Sequence, residues 1–313
     1  MSDWLIFRGT EAPHDGIKNL PEAPKWREFR EAKEKQRGKT FQVRQNEVEL
    51  VNAALYLRRP LLVTGKPGMG KTSLAYKVAE ELQLGSVLQW AITTRSTLQE
   101  GLYSYDAIAR FQDAQGKDNI RDIGKYIKLK PLGTALLPSP HPRVLLIDEI
   151  DKSDIDLPND LLNVFEEGEF EIPELARLPE EYPPVEVRTD DDSIATIEKG
   201  RVRCTQFPFV LLTSNGEREF PPAFLRRCLR LTMENHDETA LKKIVRAHLG
   251  DGVMSEAEAL ITKFIQHRGR SDAGDLATDQ LLNAIYLITR ERKPIGDEEK
   301  RVIEALMKDL TSP

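Results

Sequence analysis

The chain has 313 residues, 40% of them hydrophobic and 31% charged, with a formal net charge of −6. That length buries a sizeable core and suggests about two domains, and the composition is ordinary for a globular chain. The acidic balance argues against a dedicated nucleic-acid binder, and two distant cysteines, Cys204 and Cys228, argue against a disulfide framework and fit a reducing compartment.

The opening Met1-Ser2-Asp3-Trp4 has no basic segment followed by a long apolar run, so no secretory signal is expected. No apolar stretch reaches the roughly 18 residues that a membrane helix needs, and a cytoplasmic protein is expected. Residues 1–40 read as an N-terminal arm. Trp4 to Phe7 form an apolar cluster, the prolines at 21 and 24 favour extended structure, and Trp26 and Phe29 want a surface. Arg30 to Arg37 is a charge run that suits a solvated face. Such an arm packs either on its own domain or on a neighbouring subunit. Asn46 to Arg58 then reads as a helix, with Asn46 as its cap and Val48, Val51, Ala54 and Leu55 on one face.

The apolar run Leu61-Leu62-Val63 suits a strand buried on both faces. It leads into Gly65-Lys66-Pro67-Gly68-Met69-Gly70-Lys71-Thr72, which has the spacing G-x-x-x-x-G-K-[ST]. A polyphosphate wants several backbone N–H groups and a helix N-terminus aimed at it. Glycines let the backbone come close, Lys71 supplies a point charge for the β- and γ-phosphates, and the Thr72 hydroxyl can ligate Mg²⁺. Ser73 to Leu82 reads as the helix beneath the phosphates, with Leu74, Val78 and Leu82 on one face. The plain alternative is a glycine-rich turn that binds nothing. A nucleotide with Mg²⁺ is the expected ligand.

Ser86 to Ile92 is a second strand, 113–121 a polar loop, and Tyr126 to Leu137 an apolar, irregular stretch. Val144 to Glu149 reads as an apolar strand ending in two carboxylates. Asp148 can hold the Mg²⁺ shell, directly or through water, and Glu149 can orient and polarise an attacking water. An amphipathic helix from Asp156 to Glu167 follows, through Leu157, Leu161, Leu162 and Phe165. Phe170 to Arg203 reads as a hairpin-like insertion around Asp190-Asp191-Asp192. Phe207 to Thr213 is a further buried strand. Asn215, just past its end, can hydrogen-bond a γ-phosphate or the water. Arg226 and Arg227 form either a surface salt-bridge site or a pair able to reach a neighbour's γ-phosphate. After about residue 235 only helices remain: Asp237–Leu249, Ser255–Gly269, Asp275–Arg290 and Gly296–Asp309, with Asp237 and Ser255 as caps. The histidines at 14, 141, 236, 248 and 267 show no metal spacing, and no Asn-Lys-x-Asp motif points to guanine.

In this order, phosphate loop, Asp148-Glu149, Asn215, Arg226-Arg227 and helical tail, the chain resembles an AAA+ ATPase of the MoxR-like branch over roughly residues 41 to 290. The resemblance implies a P-loop NTPase fold: a three-layer αβα domain with a parallel central sheet over 41–234, carrying inserts at about 95–137 and 168–205, then a small all-helical lid over 235–313. It implies that the nucleotide is ATP, that Asn215 is sensor 1 and that Arg227 is an arginine finger acting in trans, with Arg226 second. It also implies a homo-oligomer, in the family usually a hexameric ring, that remodels a protein partner, and for this branch a von Willebrand factor A-domain protein. The place of the sensor 2 arginine reads Gly269 to Gly274 here, with Arg270 the nearest match. Two other functions stay open: a nucleotide-gated scaffold or filament with slow turnover, and a nucleic-acid remodeller, which the acidic balance disfavours.

Overall fold

The computed structural model describes residues 4–10, 12–27, 37–115, 123–268 and 276–308. Apolar runs without alternation have nowhere to go but the middle of a sheet covered on both faces. Leu61–Thr64, Val144–Asp148 and Phe209–Ser214 are such runs, and their apolar side chains are 0 to 3% exposed. They lie side by side in a five-stranded parallel sheet, in the order Leu229–Thr232, Leu61–Thr64, Phe209–Ser214, Val144–Asp148, Leu88–Ala91. The helix Lys71–Glu81 packs on this sheet through Leu74, Ala75, Val78 and Ala79. This is the αβα layering of a P-loop fold, followed by helices at the C-terminal end. Among the described residues no helix is long and apolar enough to cross a membrane.

Contacts divide the chain into two compact units. One comprises Val43–Gly65 and Lys71–Met233. The other comprises Met1–Gln42, Lys66–Gly70 and Glu234–Pro313, so it holds the arm, the helical tail and the middle of the phosphate loop. Within this second unit the arm packs on its own chain. The Trp26 indole N–H donates to Asn283 Oδ1 at 3.0 Å, and its ring meets Tyr286 and His248 edge-on at 5.7 and 6.0 Å. Trp4 donates to Glu298 at 3.1 Å. Burial pushes the His248 pKa down, which favours the neutral imidazole. Most of the Arg30–Arg37 charge run, Phe29 and Arg270 lie outside the described residues.

Local differences from the sequence reading have identifiable causes. The helix expected from Asn46 runs Gln45–Leu57, and Asn46 sits in its first turn. Glu47 makes the cap instead, accepting the Arg44 N–H at 2.9 Å. That bond turns Glu47 inward, 3% exposed, and leaves Val48 41% exposed. Leu82 falls just past the end of its helix and is 47% exposed. Ser255 is no cap, because a 3₁₀ turn over Asp251–Val253 runs straight into a helix that begins at Met254. Asp237 does cap, accepting the Ala240 N–H at 2.7 Å.

The two inserts meet. Tyr103–Tyr105 and Ile127–Leu129 from the first join Val185–Arg188 and Ile194–Ile197 from the second in one four-stranded sheet. At the junction, Gly124 lies so near the second insert that a Cβ there would fall 1.9 Å from the Glu186 carbonyl oxygen. Gly124→Ala should therefore cost about 1 to 3 kcal/mol. Gly252→Ala, where a Cβ would meet nothing within 4 Å, should change stability by less than about 0.5 kcal/mol. Urea unfolding midpoints check this, and equal shifts for the two variants would refute the close junction.

Candidate nucleotide site

Parallel neighbours end at the same edge of a sheet, and ligands of open α/β sheets bind beyond that edge. Thr64 is in register with Ser214, and Leu212 with Ile147, so Gly65, Asn215 and Glu149 leave three adjacent strands together. The phosphate loop departs from the first. Gly65, Gly68 and Gly70 all have positive φ, at 152°, 75° and 89°. Gly68 is also pressed against another backbone: a Cβ there would fall 2.6 Å from Ala277 Cβ and 3.1 Å from the Thr278 nitrogen. At Gly70 it would fall 2.8 Å from the Phe41 ring. Lys66 and Pro67 are exposed and Met69 is buried.

The helix starts at Lys71, with Thr72 and Ser73 in its first turn, so unpaired N–H groups and the positive end of the helix dipole lie at the loop. The Lys71 ammonium is tucked in, the residue 8% exposed. It donates to the Gly65 carbonyl at 2.6 Å and to Asn215 Oδ1 at 2.8 Å. Burial pushes its pKa down, while Asp151, Asp148 and Glu149 pull it back up.

Asp148 is gripped from several sides. Its Oδ1 accepts from Thr72 Oγ1 at 3.1 Å and from Thr213 Oγ1 at 2.6 Å. Its Oδ2 accepts from Gln89 Nε2 at 3.1 Å, and Tyr76 in turn donates to Gln89 at 2.9 Å. The Thr213 hydroxyl also accepts the Glu149 N–H at 2.8 Å. Glu149 itself is left-handed, with φ 60° and ψ 49°, a conformation that costs a non-glycine residue about 1 to 3 kcal/mol. Its carboxylate receives Lys152 Nζ at 2.7 Å.

The structure thus brings Lys71, Thr72, Asp148, Glu149 and Asn215 to one edge of the sheet, with hydrogen bonds from Lys71 to Asn215 and from Thr72 through Asp148 and Thr213 to Glu149. Among the described residues these bonds do not extend to Arg226 or Arg227. Arg227 is ion-paired with Glu166, and the carbonyls of both arginines accept from Arg59. The sequence reading gave no role to Thr213, Gln89, Tyr76 or Asp151. An alternating signal around Gln89 existed, because Leu88–Ala91 buries every second residue and leaves Gln89 on the other face.

The donor set fits a magnesium nucleotide. Among the described residues no three His, Cys, Asp or Glu side chains cluster as an all-protein metal site. Mg²⁺ with a nucleotide needs no such cluster, because it keeps waters and phosphate oxygens and takes only one or two protein oxygens. Thr72 and Asp148, joined directly, offer that pair.

A glycine loop after the strand Leu61–Thr64, a lysine beneath it and an acid pair at the end of the next strand but one define a P-loop nucleoside triphosphatase. More narrowly, residues 60–228, over half the chain, match the AAA domain family of the dynein-related subfamily, and the chain belongs to that family. It is thereby an AAA+ ATPase in its general class. A comparison with curated proteins found no match.

Lys71→Ala should lower affinity for magnesium ATP by at least about a hundredfold, because the loop loses its charge against the terminal phosphates. Calorimetric titration of the folded variant measures this. Affinity equal to that of the unaltered protein would remove Lys71 from the site.

Proposed function

We propose that the chain is a MoxR-like AAA+ ATPase that hydrolyses ATP in a ring-type homo-oligomer, a hexamer by resemblance, and uses the cycle to remodel or activate a partner protein. The observation that carries the reading is the pair of hydrogen-bonded chains at one sheet edge, from Lys71 to Asn215 and from Thr72 through Asp148 and Thr213 to Glu149. Bound ATP with Mg²⁺ supplies the scissile phosphoanhydride bond and the divalent charge. Lys71 sets a positive charge beside the loop, and Thr72 with Asp148 offers the metal shell. Glu149 orients and polarises the attacking water, and Asn215 ties the strand edge to Lys71.

The MoxR-like branch is supported by two inserts at the expected places that build one sheet together. A von Willebrand factor A-domain protein is the partner that this branch suggests. The free thiols of Cys204 and Cys228 suit a reducing cytoplasm. A slower machine, in which the nucleotide sets assembly, is favoured by one contact: Lys152 engages the carboxylate that must orient the water. Turnover measured across protein concentration separates the two readings.

An arginine facing a neighbour's nucleotide contributes about 10³- to 10⁵-fold in rate. An exposed ion pair is worth about 0 to 1 kcal/mol. Arg227→Ala should therefore keep ATP affinity and lose most hydrolysis if Arg227 is the finger, with Arg226 as the fallback. Glu149→Gln should bind ATP and hydrolyse it poorly. Mixing these two inactive variants distinguishes the geometries. Sites that combine one subunit's Glu149 with a neighbour's Arg227 become complete only if the finger acts across a boundary, and activity then returns. No recovery, with subunit exchange shown independently, rules out the trans role, and unchanged turnover of Glu149→Gln sinks the hydrolytic assignment.

A further inference from the structure

Asp151 has no part in that scheme, although it is among the most buried of the described acids, 4% exposed. Its Oδ2 accepts two backbone N–H groups, from Asn215 at 2.8 Å and from Glu217 at 3.1 Å. Its Oδ1 is buried without a hydrogen-bond partner among the described residues. A carboxylate oxygen kept from water with no donor is costly. The stability of the turn alone would be met by a side chain that leaves no such atom behind.

The two bonds have a specific geometric result. They span the segment that leaves the Phe209–Ser214 strand, where Gly216 turns with φ 80° and donates to Ser214 Oγ at 3.0 Å. With the Asn215 backbone nitrogen held, its side-chain oxygen meets Lys71 Nζ at 2.8 Å. The same carboxylate leads the charged groups that favour the protonated form of Lys71 against the cost of burial. Asp151 therefore grips the amide residue by its backbone and acts on the lysine through space.

We propose that Asp151 is a positioning residue for ATP hydrolysis: it clamps the backbone of Asn215 and Glu217 so that the Asn215 side chain stays aligned with Lys71. This rests on the reading of Asn215 as part of the hydrolytic site. The charge of Asp151 is secondary to its two acceptor bonds. An asparagine can accept both N–H groups through its own oxygen, whereas an alanine can accept neither.

The test is a double-mutant cycle on the full chain with magnesium ATP, reading kcat, KM and the melting temperature of each variant. Asp151→Ala should lower kcat about 10- to 100-fold with KM within about threefold, less than the roughly 100- to 1000-fold lost with an oriented donor at a reacting centre, because Asp151 acts through Asn215. Asp151→Asn should recover most of that loss. Asn215→Ala should be slow by itself, and adding Asp151→Ala to it should cost little more, because the clamp has no side chain left to align. Additive losses would overturn the inference, and so would an Asp151→Asn variant as slow as Asp151→Ala. A melting temperature that collapses in Asp151→Ala but not in Asp151→Asn assigns Asp151 to fold stability and also overturns it. If Asn215→Ala turns over normally, the assignment of Asn215 fails first. If Asn215→Ala is slow and Asp151→Ala is not, only the clamp fails.

Discussion

The hydroxyl of Thr213 holds the acid-bearing edge of the sheet together. It donates to Asp148 Oδ1 and accepts the N–H of Glu149. One side chain thus fixes the two acids from the neighbouring strand at once. The register makes this possible: Leu212 pairs with Ile147, which sets Thr213 beside Asp148 at the strand ends. A parallel pair slipped by one residue would turn Thr213 to the other face of the sheet. The left-handed backbone of Glu149 is over-determined by the same contact, because its N–H is held while the chain turns into the 3₁₀ segment Ile150–Lys152.

Much of this was legible in the residues. Buried parallel strands announce themselves as unbroken apolar runs, so Leu61–Thr64, Val144–Asp148 and Phe209–Ser214 could be placed to within about two residues. The phosphate loop is a local motif, set by glycines and by one lysine, and needs no tertiary information. The parts that were not legible depend on partners far away in sequence. Asp151 reads as one more charge in Asp148-Glu149-Ile150-Asp151-Lys152, and only the fold shows that it is buried against Asn215, 64 residues on. Gln89 and Tyr76 carry no motif at all, yet they complete the hold on Asp148.

The arm illustrates a different limit. Trp26 requires burial somewhere, and composition is silent on which surface receives it. The answer lies in three scattered side chains, His248, Asn283 and Tyr286, which form a pocket only once the helices Glu238–Leu249 and Thr278–Ile288 have packed. Helical periodicity places such residues on a face but does not say which face meets which. The shared sheet of the two inserts has the same origin, since its single parallel link, Lys128 with Arg188, joins segments that local pattern cannot relate.

Charge accounts for the form in which the site takes its ligand. Lys71 stands opposite three carboxylates, Asp148, Glu149 and Asp151, each of which acts on it through space. Formally that leaves two negative charges in excess. Interactions between unit charges about 4 Å apart are worth about 4 kcal/mol at the effective dielectric of a protein surface and about 1 kcal/mol in bulk water. A bare polyphosphate entering beside these acids would be repelled by more than one lysine can offset. A divalent cation would cancel the excess, and Thr72 and Asp148, whose oxygens stand together, would hold it. The acids that make this edge unfavourable for a bare anion are thus the ones that make it favourable for an anion carrying its metal. Lys152, drawn onto Glu149, moderates the same imbalance from the other side.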